Sequence, residues 1–119
     1  MAVAAAAVNN FRTVTSVVGV STATIYEAPV GFVGVFLLAQ AANIDTTNSH
    51  TLSFYHNRNV SGVGTVTTEI VRNYSLPPSD TLNLLPGKLV LEAGDFITLS
   101  ASNASNVKFL ASILETSNS

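Results

Sequence analysis

Residues 81–115 read TLNLLPGKLVLEAGDFITLSASNASNVKFLASILE, and the fold turns on how this stretch is read. It holds four short apolar runs with turn formers at each junction. Leu82 and Leu84 alternate with polar neighbours before Leu85-Pro86-Gly87-Lys88. Proline presets φ at the second turn position and glycine accepts the positive φ of the third, so a type II turn is predicted there. Leu89 and Leu91 flank Val90, and Glu92-Ala93-Gly94-Asp95 turns the chain again. The last two runs cover residues 96–101 and 107–114. Val107, Phe109, Ala111 and Ile113 share one face, because successive side chains of a strand point to opposite sides. The pattern predicts a β-meander that the rest of the chain covers with a second sheet.

Working outward, FRTVTSVV (11–18) and TATIYE (22–27) are rich in β-branched residues and are separated by Gly19-Val20-Ser21, which predicts a hairpin. Ala28-Pro29-Val30-Gly31 is a further turn. FVGVFLLAQAA (32–42) is apolar on both faces and predicts a central strand or one covered by a neighbouring subunit. NIDTTNSH (43–50) is a loop, TLSFYH (51–56) a strand, and NRNVSGVG (57–64) an exposed loop. TVTTEIVRN (65–73) is another strand. The two prolines of YSLPPSD (74–80) exclude a central strand and predict a crossing between sheets. The expectation is an all-β, antiparallel, jelly-roll-like sandwich of eight or nine short strands. It occupies residues 11–119 as a single domain, behind an extended N-terminal arm at 1–10. Phe36, Leu38, Leu89, Leu91, Ile97, Leu99, Phe109 and Ile113 are its expected core.

A chain of 119 residues is long enough to bury roughly two-thirds of its unfolded surface without metal or disulfide support. There is no cysteine. Only 10% of residues are charged, against a usual ~25%, while serine, threonine and asparagine number 37. Short neutral polar side chains lose little entropy when ordered, which suits a surface packed against other copies. The formal net charge of −2 and the absence of a basic run disfavour nucleic acid. MAVAAAAV has no charged n-region, and the longest apolar stretch falls short of the ~20 residues that span a bilayer, so no membrane partner is expected. The arm is too short for a helix stable in water and is expected to order only against a partner surface.

No constellation in the sequence carries chemistry well. His50 and His56, with Asp45 and Glu69 nearby, are a weak metal set, and no metal or cofactor is expected. Thirteen serines occur without a G-x-S-x-G elbow, so covalent catalysis is disfavoured. Glu92 and Asp95 superficially suggest paired carboxylates, but an aspartate after glycine accepts backbone N–H groups within its turn. Three Asn-x-Ser matches, at Asn59, Asn73 and Asn103, are incidental in a chain with 11 asparagines.

MAVAAAAVNNFRTVTSVV (1–18), TIYEAPVGFVGVFLLAQAANI (24–44) and LPPSDTLNLLPGKLVLEAGDFITLSASNASNVKFLASILE (76–115) resemble small virion structural proteins of tailed bacteriophages, especially those infecting cyanobacteria. The resemblance lies in strand-and-turn wording and covers nearly the whole chain, residues 44–64 least. It implies a non-enzymatic β-sandwich subunit, foremost a decoration or cement protein on the capsid surface. The alternatives are a neck, tail or fibre-associated subunit, or a sugar-binding sandwich. The implied partners are further copies of itself, as a homotrimer, and the major capsid protein or another virion protein. The expected assembly interface is Val3, Val8, Phe11, Val33, Val35 and Leu37.

Overall fold

The computed structural model describes residues 8–117. Nine antiparallel strands form two facing sheets, and no helix occurs among the described residues. The strands are β1 (Asn9–Val17), β2 (Ala23–Glu27), β3 (Phe32–Asn43), β4 (His50–Val60), β5 (Gly64–Leu76), β6 (Thr81–Asn83), β7 (Leu89–Leu91), β8 (Phe96–Ala101) and β9 (Val107–Ser117). One sheet has the order β1-β9-β3-β6, with β7 also on β3; the other has the order β2-β8-β4-β5. β6 and β7 lie along the same edge of β3, at Gln40–Ala42 and Gly34–Phe36. They are one strand interrupted by residues 84–88. The architecture is therefore an eight-stranded jelly roll with one strand split.

The predicted meander does not form. Apart from the β4–β5 hairpin and the split strand, every connection passes from one sheet to the other. Alternation marks which side chains face inward, but it does not name the neighbouring strand. For the same reason residues 11–18 and 22–27 are not a hairpin: β1 pairs with β9 and β2 with β8. Gly87 does not take positive φ, so the predicted type II turn at 85–88 is absent. There, Leu84 and Leu85 drop into the core, and Leu84 N–H donates to the Ala39 carbonyl at 2.8 Å. Residues 57–64 are not a loop either, since β4 runs to Val60 and only Ser61-Gly62-Val63 turn. The turn at Glu92–Asp95 does form: Asp95 N–H donates to the Glu92 carbonyl at 2.9 Å and Gly94 has φ 88°. An L side chain there would be strained.

Six of the eight expected core residues are buried: Phe36, Leu91, Ile97, Leu99, Phe109 and Ile113. Phe54 and Phe109 meet across the sheets with centroids 6.0 Å apart. Leu89 packs on this core only partly buried. Leu38 is on the wrong face, because the register against β9 slips between Phe36 and Leu38. Leu37 is the extra residue of a β-bulge, and it reverses the in–out parity of all that follows. Asn9 and Asn10, assigned to the arm, are the first residues of β1. Val8, the arm's other described residue, is tied to β9: Ser117 N–H donates to the Val8 carbonyl at 3.0 Å.

Candidate assembly face

The outer surface of the first sheet is a grid whose rows follow from the strand register. Asn9, Thr116 and Val33 make its first row. Phe11, Leu114, Val35 and Val90 make the second. Thr13, Ser112 and Leu38 make the third, and Thr15, Leu110, Gln40 and Asn83 the fourth. The fifth is Val17, Lys108, Ala42 and Thr81. Lys108 is the one charged residue in these rows. The second row is apolar on every strand, and Phe11 stands up from it 77% exposed, with Val90 54% exposed at the far edge. Toward the other end of the face lies an open hollow of about 480 Å³. Thr15, Val17, Gln40, Ala42, Lys108 and Leu110 line it.

Cross-strand neighbours on one face lie within side-chain contact of each other, so the second row acts as a continuous apolar band. The outer face of the second sheet differs in kind. Glu27 opposes Phe96 on it, and Glu69 opposes Tyr55, both carboxylates exposed. Depletion of charge beside exposed aromatic and aliphatic groups is the composition of an interface centre.

Of the residues expected to assemble, Phe11, Val33 and Val35 share this face. Leu37 sits in the bulge, 39% exposed, and Val8 is exposed beside Ser117. Val3 lies outside the described residues. Leu38, Leu110, Leu114, Val17 and Val90 belong to the face but were not anticipated. For Leu110 and Leu114 a signal was present: in 107–114 the odd positions are all apolar, and two of the four even ones, Leu110 and Leu114, are apolar as well.

The polar clusters are clasps between strands. Asp95 is buried and accepts from Arg58 Nη2 at 2.9 Å, Arg58 Nε at 3.2 Å and Glu92 N–H at 3.1 Å, with His56 Nε2 at 3.2 Å. Burial pushes its carboxyl up, but the Arg58 and Glu92 hydrogen bonds and the charges of Arg58 and His56 outweigh that and hold it below its ordinary value. The turn reading of Asp95 is thus correct, and Arg58 ties the turn to β4. Asp45 accepts from Thr47 N–H at 2.9 Å and Asn48 N–H at 3.2 Å, with His50 Nε2 at 2.9 Å. Those bonds, from Thr47 first and then His50, keep its carboxyl well below the usual range. The two histidines therefore serve separate aspartates. No group of three or more metal-ligating side chains occurs among the described residues.

A third cluster closes one end of the sandwich. Glu115 is buried and accepts from the Tyr26 hydroxyl at 2.5 Å and Arg12 Nη1 at 3.0 Å. Arg12 lies 5.7 Å from the Tyr26 ring centroid. Burial, and then the bond to and charge of Glu115, push the Tyr26 hydroxyl well above its ordinary value. Gly34 makes room for it: a Cβ there would come within 2.9 Å of the Tyr26 oxygen. All these groups are mutually satisfied, and no buried side-chain polar atom among the described residues lacks a partner.

No family model matches the chain, and no curated protein matches it. Solved structures do. A chain of the infectious bursal disease virus particle superposes with a TM-score of 0.53 at 12% identity, over 91% of this chain and 31% of the viral one. This chain thus spans about a third of that protein. A protein of Bacillus endospore appendages, disulfide-linked pili, matches with a TM-score of 0.49 at 14% identity over 98% and 96% of the two chains. A pentameric capsid protein from metagenomic phage sequences matches with a TM-score of 0.43 at 20% identity, over 85% and 59%. The structural neighbours thus include a viral-particle protein, a phage capsid protein and a spore pilus protein. At such identity the likeness is one of fold.

Proposed function

We propose that this protein is a non-enzymatic structural subunit of a bacteriophage virion, a decoration or cement protein that binds the outer capsid shell and stabilises it. One observation carries the reading: a whole sheet face nearly without charge, banded by Phe11, Leu114, Val35 and Val90, on a jelly roll whose polar clusters all serve internal ties. The likeness to a viral-particle protein and the wording shared with phage virion proteins agree with it. In this reading Val3, Val8, Phe11, Val33, Val35 and Leu37 contribute to contacts with other copies and with the major capsid protein. Repetition lets each contact be weak, because a copy held at several points dissociates only when all are lost. Homo-oligomerisation belongs to the same proposal, with no number of copies attached to it.

The test is the copy number in purified particles, by quantitative mass spectrometry against the major capsid protein. Hundreds of copies per particle are expected. A few dozen or fewer would move the subunit to the neck, tail or fibre, and absence from particles would overturn the virion reading.

A further inference from the structure

We infer that the outer face of the β1-β9-β3 sheet binds the same face of a second copy, the Phe11 side chain of each inserting into the hollow beside Leu110 of the other. The inference concerns the chain itself and does not depend on its place in a particle. Knob and hollow lie on one face, on either side of the Thr13–Ser112–Leu38 row. A two-fold axis lying in the plane of the face, across the strands and along that row, superposes the second row of one copy on the fourth row of the other. Phe11 then sits over Thr15 and next to Leu110, and the two insertions form together, as an isologous contact requires.

Size, chemistry and charge agree with a second copy as the occupant. The open hollow of about 480 Å³ has room for a phenyl ring, and Val17, Ala42 and Leu110 give it apolar walls. Thr13 and Ser112 on the axis are small and let the sheets approach, and Leu38 meets its own counterpart there. The same operation places Lys108 over Thr116 rather than over another lysine, so the one charge of the face meets no like charge. Five rows two residues apart across four strand positions cover roughly 600 Å² per copy, ~1,200 Å² in total, the lower edge of specific interfaces. Contact of this kind closes at two copies. The resemblance, by contrast, implies three.

Sedimentation equilibrium on the full chain between about 1 and 100 μM tests it, with a dimer expected that grows no further. Phe11→Asp removes the knob and Leu110→Arg fills the hollow. Each is expected to weaken pairing at least ~100-fold, since symmetry removes the contact twice. Both positions face outward, so melting of the monomer is expected to stay within a few degrees, and either variant suffices if the other fails to fold. An equimolar mixture of the two variants retains one intact knob and one intact hollow, and is expected to form a heterodimer weaker than the wild-type pair. A wild-type monomer at 100 μM, a trimer, or dimers that survive both substitutions would overturn the inference. None of these results bears on copy number in particles.

Discussion

Replacing Tyr26 by phenylalanine removes a single oxygen from the cluster that closes one end of the sandwich. The ring, which packs edge-on against Phe36 with centroids 5.6 Å apart, is kept. What is lost is the 2.5 Å bond to Glu115, whose carboxylate is buried on the inner side of β9. A hydrogen bond to a charged group contributes ~1.5–3 kcal/mol, and Arg12 still holds Glu115, so a loss of about 2 kcal/mol is expected. With an unfolding entropy of ~2.1 cal/mol/K per residue, this lowers the melting temperature by roughly 8 °C. Thermal melting followed by circular dichroism reads it directly. The pH dependence provides a second readout. The folded state holds the Tyr26 proton more tightly than the unfolded chain, whose tyrosine titrates near 10. Below pH 10 both states keep the proton and the full contribution is present. Above it the unfolded state releases the proton first, and stability falls by up to ~1.4 kcal/mol per pH unit. The gap between wild type and Tyr26→Phe is therefore expected to be constant up to about pH 9 and to shrink above it. A shift under about 2 °C, or a gap indifferent to alkali, would refute the role assigned to this hydroxyl.

Phe109→Ala empties the space where Phe109 meets Phe54 and is expected to cost ~3–5 kcal/mol, measured by urea titration. The Asp45 carboxyl is held below its unfolded value, so the stability it confers is present above about pH 4 and lost as pH falls further. Melting curves of Asp45→Asn are expected to approach those of wild type across that acid range and to lie below them at neutral pH. Removing residues 2–7, the apolar start of the chain, is expected to leave the melting transition within about 2 °C of wild type and, under the proposed virion role, to lower occupancy on purified particles, scored by gel densitometry.

The existence of the strands was legible because β-branched and alternating apolar residues mark them, and because Pro29, Gly31 and Gly94 mark real turns. Pairing was not. Residues 89–91 and 96–101 look like neighbours joined by Glu92–Asp95, yet that turn carries the chain between sheets. In-out alternation is the same whether the next strand lies alongside or opposite. The parity change at Leu37 was hidden for a related reason: a bulge is defined by its partner strand, and β9 lies some seventy residues further on. The candidate face was legible only in part. Phe32–Asn43 betrays itself by being apolar on both sides, and Val107–Ser117 does so more weakly. The row joining Phe11 to Leu114, Val35 and Val90 exists only once four distant segments are in register.

The position of β9 between β1 and β3 also sets the order in which the molecule can be made. Among the described residues β1 pairs with β9 alone, and residues 18–106 lie between the two strands. At translation speeds of ~5–20 residues per second, β1 waits on the order of 5–20 s for the strand that completes its sheet. Among the described residues only the β4–β5 hairpin can close locally in the meantime. Pairings of such long sequence separation place folding in the slow, millisecond-to-second range even after release. Until β9 is in place the grid of the outer face does not exist. A nascent chain therefore offers no finished surface, and the proposed pairing is confined to subunits whose synthesis has reached their ninth strand.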